Sequence, residues 1–368
     1  MSLHELTPEQ QEIRALTRRF ADERIAPHAA AWDRDHHFPR ELFADLGELG
    51  LMGVCIPVEQ GGAGADFLAY IQVLEELSRA DAGVGVTVAV HTSACALPLL
   101  DHSSEHVPAL ASGEEIGAFA LTEAGSGSDA SAMRTRYADG AITGAKQWIT
   151  NGSYASTFLV FAREDERISA FVVRAGADGF AVTREEDKLG LNSSSTADVV
   201  FDGTPAERLG EPGKGMSIAL RTLDTGRIGI AAQAVGIAQA ALDVATAYAK
   251  ERNAFGGPIA RLGAIQQKLA DMQTEVEAAR ALTWRAARLK DAGRPHTVEG
   301  AQAKLFASGV ARRQTGEAIQ VLGGYGYTKE FPAERYYRDA KVTEIYEGTS
   351  EIQRLVIARA LLGEAARG

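Results

Sequence analysis

Residues 116–152 read "IGAFALTEAGSGSDASAMRTRYADGAITGAKQWITNG", and the fold turns on the residues just after the glycines. The segment "GSGSDA" (residues 125–130) comes after an apolar run and matches G-x-G-x-x-A, the fingerprint of a nicotinamide-binding Rossmann turn. That fingerprint requires a helix opening directly after the glycines, inside a parallel βαβ unit. Here the chain runs through a turn into another strand-like stretch, so the Rossmann reading fails on context. A Gly/Ser run is most often a surface turn. This one also gathers Thr122, Ser126, Ser128 and Asp129 among flexible glycines, a composition suited to backbone and hydroxyl donors around a phosphate-bearing ligand. "WITNG" (residues 148–152) adds a large aromatic and a hydroxyl at a strand end before a glycine turn.

Across and beyond this stretch, "IGAFALT", "AITGAKQWIT", "TFLVFARE", "ISAFVVR", "GFAVTR" and "TADVVFDG" are short runs rich in β-branched and aromatic residues, separated by Gly, Asp, Asn or Ser. They predict an antiparallel β-sandwich or barrel domain over residues 117–213, closing near "LGEPGKG". Residues 1–116 read as an all-α domain. Thr7, Pro8 and Gln10 form a capping box with proline in the first turn, and further helices are predicted at residues 40–49, 66–79 and 83–100. From residue 214 to 368 the helical period returns, with Ile265, Leu269, Met272, Val276 and Ala279 on one stripe. At 1.5 Å per residue that stripe belongs to roughly 40 Å of helix, a length used in four-helix bundles that often bury a second face against another subunit. The expected class is α+β multidomain: helical, β, helical.

With 368 residues, 45% hydrophobic and 24% charged, the chain can bury sizeable cores. A net charge of −11 with no Lys/Arg cluster excludes a nucleic-acid footprint. The polar opening "MSLHELTPEQQEIR" is not a signal peptide. Residues 83–100 approach membrane-span length but carry His91, Thr92, Ser93 and Pro98, so they read as a buried core helix. Cys55 and Cys95 lack metal-ligand spacing and read as buried small hydrophobes in a reducing cytoplasm, with no metal expected.

Near the C-terminus, "EIYEGTSEIQRLVIARALL" (residues 344–362) places Ser350 and Gln353 as an S-x-x-Q capping box ahead of an apolar stripe. Glu347, wedged between Tyr346 and Gly348, is a charge that a turn does not need. It is either a solvated loop residue or a base.

"FALTEAGSGSDA", "KQWITNG", "LDTGRIGIAAQAVGIAQAALD", "RNAFGGPI", "QKLADM", "QVLGGYGY" and "RDAKVTEIYEGTSEIQR" together resemble the flavin-dependent acyl-CoA dehydrogenase family, in order and over nearly the whole chain. The resemblance is strongest to the short-chain branch, through "GRIGIA", "EDKLG" and "PAERYYRDAKVTEIYEGTSEIQRLVIA". It implies FAD, held along Phe119, Leu121, Thr122, Gly127 and Ser128, with Trp148, Ile149 and Thr150 walling the isoalloxazine. Arg252 and Phe255 match the residues that hold the ADP half, and Gln320, Val321, Gly323 and Gly324 match an adenosine-side stretch reaching a neighbouring subunit's FAD. Thr349 and Glu351 match further cofactor contacts. The family therefore implies a homotetramer, a dimer of dimers, with electron-transferring flavoprotein as electron acceptor.

On the substrate side the resemblance implies Ser128, Asp224, Arg227, Tyr346 and Gly348, although an Arg such as Arg227 in an amphipathic helix is often merely solvated. It makes Glu347 the base that removes the α-proton of an acyl-CoA thioester while FAD N5 accepts the β-hydride, yielding a trans-2-enoyl-CoA. Burial beside flavin and acyl chain would raise the Glu347 pKa. A family branch carries its base on another helix, near the position of Gly229. Three departures stand out: Ala124 where the family usually has Pro, Gly263 where it commonly has Gln, and a shortened "LPLLDHSSEHVPALASGEE" that bears on the acyl pocket. Rival readings are an acyl-CoA oxidase, an enzyme acting on carrier-protein-bound acyl groups, and a non-catalytic helical binder whose "YEGT" loop is only a cap.

Overall fold

The computed structural model describes residues 5–366; residues 1–4, where the polar opening stretch begins, and residues 367–368 lie outside it. The first helix, α1 (Pro8–Phe20), starts as predicted. Thr7 Oγ1 accepts from the Gln10 amide at 3.2 Å and Gln10 Oε1 accepts from the Thr7 amide at 3.0 Å, satisfying two donors the helix end would otherwise orphan. Next come α2 (Ala29–Asp35), α3 (Arg40–Glu48) and α4 (Phe67–Ala80), the last capped by Asp66. The single helix expected across residues 83–100 is instead three pieces: α5 (Ala82–Ala89), a π-helical segment Val90–Ala96, and α6 (Leu97–Asp101). Pro98 sits in the first turn of α6, where no amide donor is required. Ala82–Asp101 is long and apolar enough to span a membrane, yet 89% of its 18-residue apolar window is buried inside the fold. A short α7 (Val107–Ala111) then leads to the strands.

All six predicted runs are strands. They form one eight-stranded sheet of β1 (Gly117–Ala120), β2 (Arg136–Ala138), β3 (Ala141–Thr150), β4 (Thr157–Glu164), β5 (Arg167–Arg174), β6 (Phe180–Glu185), β7 (Thr196–Pro205) and β8 (Glu207–Leu209). β2 and β8, three residues each, are too short to show a pattern. The sheet is mostly antiparallel, but β1 and β2 run parallel to β4, which corrects the expectation of a purely antiparallel domain. The reason is connectivity, since β1 enters from the helices and the chain loops through residues 121–135 before pairing again. Alternate residues of β4 and β5 face two cores. Phe158, Val160, Phe171 and Val173 pack with Val199 and Phe201, while Leu159, Phe161, Ala170 and Val172 pack against Cys95, Leu99 and Leu110. Burial on both faces explains why β4 and β5 read as near-continuous apolar runs.

After β8 the chain enters α8 (Gly215–Glu251), a short hairpin of β9 (Asn253–Ala254) and β10 (Gly257–Pro258), α9 (Gly263–Asp291), α10 (Thr297–Leu322), α11 (Ala333–Val342) and α12 (Ser350–Leu362). Met272, Val276 and Ala279 of the predicted stripe are buried, with Ile265 and Leu269 half-buried at its start. α4 joins this bundle, its Leu74 and Leu77 sharing a core with Ile228, Ala231 and Val235 of α8 and Ala303 and Val310 of α10. The helical ends of the chain thus grip each other, and the catalytic candidates lie where they meet.

Candidate active site

Glu347 lies in the turn between α11 and α12 with φ 54°, and Gly348 comes next at φ 87°. Two consecutive left-handed residues displace the helix start, so the predicted cap is off by one. The N-cap is Thr349, whose Oγ1 accepts from the Ile352 amide at 3.3 Å, and Ser350 is already helical. Gln353 does not reach back to a cap. It is buried, and its Nε2 donates to the Gly348 carbonyl at 2.7 Å and the Glu347 carbonyl at 3.3 Å.

The Glu347 carboxylate points into the bundle. Its Oε2 is buried without a hydrogen-bond partner. Burial pushes the carboxyl up to about 7, against the opposing pull of Lys304 and then Arg227. Space for it comes from Gly226 on α8, since a Cβ at that position would lie 2.5 Å from Glu347 Oε2. A Cβ on Gly229 would instead meet Leu74 at 3.3 Å, so Gly226 and not Gly229 is the α8 position facing the carboxylate. Tyr346, beside the base, bonds its hydroxyl to Gln233 of α8.

Of the predicted substrate residues, Arg227 is not a solvated side chain. It is 4% exposed, its Nη1 donates to Asp224 Oδ1 at 2.6 Å, and its Nε is buried without a partner. Asp224 in turn accepts from Thr297 Oγ1 at 2.6 Å, tying α8 to the start of α10. Asp224 also lines a cavity of about 440 Å³ together with Thr225, Ser93, Leu97, Pro98 and Cys55. The shortened segment therefore does border this cleft, through Leu97, Pro98, Asp101 and His102. Cys55 lies on its wall only partly buried, unlike Cys95; both thiols are free.

The glycine-rich stretch sits at the end of β1, fixed by a residue pair that sequence reading missed. Lys146 on β3 is buried and donates from Nζ to the Leu121 carbonyl at 3.0 Å and to Glu123 Oε1 at 2.8 Å. Glu123 also accepts from the amides of Arg134 at 2.6 Å and Thr135 at 3.0 Å, closing the loop at both ends. Thr122 is held to β3 through its carbonyl, which accepts from the Gln147 amide at 2.9 Å. Within that frame Gly125, Gly127 and Ser128 are exposed, and a Cβ on either glycine would meet nothing within 4 Å. Phe119 and Leu121 are mostly covered, Phe119 meeting Phe161 edge-on.

Trp148 stands at a register shift in the β3–β7 pairing, with φ 58° and its amide donating to Asp198 Oδ1 at 3.1 Å. Such a bulge re-aims a side chain, and here it leaves the indole 57% exposed between buried Ile149 and solvent. Asn151 braces the strand end, its Nδ2 donating to the carbonyls of Thr87 at 3.1 Å and Gly117 at 3.0 Å. Thr150 is half-buried beside it.

Six of the remaining cofactor candidates line two other clefts. Arg252, Val321, Gly323 and Gly324 line a cavity of about 590 Å³, where the Arg252 guanidinium stacks over Tyr325 at 5.9 Å. Phe255 and Gln320 lie outside that lining, Phe255 with 93% of its surface exposed. Thr349 and Glu351 line a third cavity of about 700 Å³ with Arg312 and Arg354. Gly263 opens α9 with no side-chain cap before it.

An open glycine loop beside an uncovered indole, and a guanidinium next to paired glycines, are features a flavin with its pyrophosphate and adenosine would fit. A carboxylate oxygen buried without a partner is what proton abstraction next to a carbonyl demands. These are the parts of an oxidoreductase site.

Three family models match the chain: "Acyl-CoA dehydrogenase, N-terminal domain" at residues 7–114, "Acyl-CoA dehydrogenase, middle domain" at 118–204 and "Acyl-CoA dehydrogenase, C-terminal domain" at 213–362. The chain belongs to the acyl-CoA dehydrogenase family of oxidoreductases. It is 50% identical over 375 residues to the mitochondrial short-chain specific acyl-CoA dehydrogenase of Bos taurus, covering 97% of this chain and 91% of that one. It is 46% identical over 370 residues to the short-chain specific acyl-CoA dehydrogenase of Clostridium acetobutylicum, covering 96% and 98%. Among solved structures, butyryl-CoA dehydrogenase from Megasphaera elsdenii superposes with a TM-score of 0.95 at 42% identity, covering 97% and 99%. A chain from the structural work on the electron transferring flavoprotein of Acidaminococcus fermentans gives 0.96 at 44%, covering 98% and 99%. The acyl-CoA dehydrogenase of Bacillus anthracis complexed with FAD gives 0.93 at 34%, covering 99% of this chain and 68% of that one.

Proposed function

We propose that this chain is a short-chain acyl-CoA dehydrogenase that converts a straight or branched acyl-CoA thioester to the trans-2-enoyl-CoA, with Glu347 as the α-proton base. The observation that carries the reading is Glu347 Oε2: a buried oxygen without a hydrogen-bond partner, given its space by Gly226. In its ionised form Glu347 withdraws the α-proton, and enclosure keeps water from competing for it. Burial places its titration near 7, so the basic form is available at neutral pH. Asp224, which lines the cleft, and Arg227, paired with it, would contact the CoA portion, while Tyr346 and Gly348, on either side of the base, would bound the thioester.

FAD is the cofactor in this reading, and when bound it supplies the oxidising ring that takes the β-hydride. Trp148 and Thr150 would wall that ring, and the loop carrying Thr122, Gly127 and Ser128 would offer backbone and hydroxyl donors, held in place by Glu123 and Lys146. Arg252, Val321, Gly323 and Gly324 line one cleft apart from this wall and Thr349 and Glu351 another, with Phe255 and Gln320 outside both. That separation supports a cofactor shared between copies in a homotetramer. α12 supports assembly as well: it is rich in apolar residues, yet Gln353 is its single buried residue and Leu355, Leu361 and Leu362 are exposed. Electron-transferring flavoprotein is the acceptor we assign, and free thiols at Cys55 and Cys95 accord with a reducing cytoplasm.

Anaerobic bleaching of the purified yellow protein by a panel of acyl-CoAs tests this. Butyryl-CoA should bleach fastest, and Glu347→Gln should retain FAD while losing the bleaching. A Gln variant as fast as the parent defeats the assignment, and rapid recolouring in air without an added acceptor would replace the dehydrogenase by an oxidase.

A further inference from the structure

Two side chains from different helices converge on one backbone oxygen beside Glu347. Lys304 Nζ, from α10, donates to the Gly348 carbonyl at 2.6 Å, and Gln353 Nε2, from α12, donates to the same atom at 2.7 Å. Lys304 is fully buried, a costly place for an ammonium group. A doubly held carbonyl in a left-handed two-residue turn is over-determined, and a non-glycine residue at positive φ persists only where its surroundings impose that conformation.

We infer that Lys304 and Gln353 clamp the Gly348 carbonyl and so aim the Glu347 carboxylate, which makes Lys304 a positioning residue for proton abstraction. This rests on the reading of Glu347 as base. The groups that face the carboxylate are Lys304 from α10, Arg227 from α8, the Tyr70 phenol from α4 and Tyr346 in the same turn. Glu344 and Glu351 also favour the charged form of Lys304, and Arg227 opposes it. Burial lowers Lys304 to about 8, so it is cationic at neutral pH and favours the ionised form of Glu347. Removing it therefore has two separable effects. The carboxylate loses its aim, and it keeps its proton to higher pH.

The test compares wild type, Lys304→Met, Lys304→Arg, Gln353→Leu and Glu347→Gln as FAD-loaded proteins, by anaerobic bleaching with butyryl-CoA across neutral pH. Flavin content and an infrared titration of the Glu347 carboxylic-acid band are read alongside. Lys304→Met should keep its flavin, bind butyryl-CoA with little change in KM, and bleach roughly 10- to 100-fold more slowly, the penalty for a reacting group displaced by about an ångström. Its acid limb and the infrared midpoint should both move to higher pH. Gln353→Leu should slow bleaching without moving either, because the lost donor is neutral, and Lys304→Arg should restore the wild-type limb.

Combining Lys304→Met with Gln353→Leu in one protein should lose less than the product of the single losses, since both donors serve one oxygen. Wild-type bleaching with an unmoved limb in Lys304→Met overturns the clamp while an inactive Glu347→Gln leaves the base standing. An active Glu347→Gln overturns both. If Lys304→Met does not accumulate as folded protein, an unimpaired Gln353→Leu overturns the clamp by itself.

Discussion

Asp339 at the end of α11 and Glu347 in the turn beyond it are two carboxylates that burial pushes up to about 7, and only one of them is placed to do chemistry. Asp339 is tied down. Its Oδ1 accepts from the Leu191 amide at 2.7 Å, and a Cβ on Gly190 would lie 2.6 Å from the same oxygen, so no substrate could approach. Arg335 acts on it electrostatically and Asp81 opposes ionisation, making it the centre of a contact between the loop after β6 and the helices. Glu347 has the same raised pKa but a free oxygen and a glycine-lined space before it. A perturbed titration therefore marks burial; an unused lone pair facing a glycine marks a base.

The sharpest way to break that contrast is to remove the charge at Glu347 alone. Glu347→Gln should cost roughly 10²- to 10⁴-fold in the rate of flavin bleaching, the usual scale of a lost general base. Its melting temperature should hold or rise, because an enclosed carboxylate is exchanged for an amide. Gly226→Ala comes next. The added methyl would sit 2.5 Å from Glu347 Oε2, the movable end of a side chain, so the fold gives way by turning the carboxylate aside. In the middle of α8 an alanine favours the helix by about 0.5–1 kcal/mol over glycine. The expected signature is thus equal or higher thermal stability together with roughly 100-fold slower turnover. A variant as active as wild type would show that Gly226 does not set the position of the base.

This contrast also marks what a sequence can carry. The helical, β, helical order and all six strand-like runs were legible because apolar period switches between 3.6 and 2 at each boundary. Glu347 was legible as a charge with no local reason to exist, and Arg227 with Asp224 came through the family pattern. Gly226, Lys304 and Gln353 were not. A glycine inside "DTGR" reads as a tolerated weak spot, and a lysine in "AQAKLFASG" reads as a solvated face, until α8 and α10 cross beside the turn. Gln353 was visible but misassigned to a cap, since S-x-x-Q fits one residue too late when two left-handed residues precede it. Glu123 and Lys146 escaped for the same reason: their pairing joins a loop to a strand 23 positions on.

Asp339→Asn is the mildest change and tests the other half of the contrast. The folded-state pKa of Asp339, about 7, lies above its ordinary value of 3.8, so between those limits the folded protein holds a proton that the unfolded chain has released. Stability from this group is therefore fully present below the ordinary carboxylate range and is lost as pH rises through about 7. Glu347 adds a slope of the same sign, so the difference between wild type and variant isolates Asp339. Asparagine keeps the oxygen that accepts from Leu191 and cannot ionise. Melting curves from mildly acidic to alkaline pH should show the variant gaining on wild type as pH rises, with butyryl-CoA bleaching unchanged. Asp339→Ala, which also cannot ionise but removes the acceptor, should sit about 1–3 kcal/mol below Asp339→Asn at every pH. If Asp339→Asn slowed bleaching as Glu347→Gln does, the tethered carboxylate would belong to the chemistry after all, and a free lone pair could no longer serve to tell the two apart.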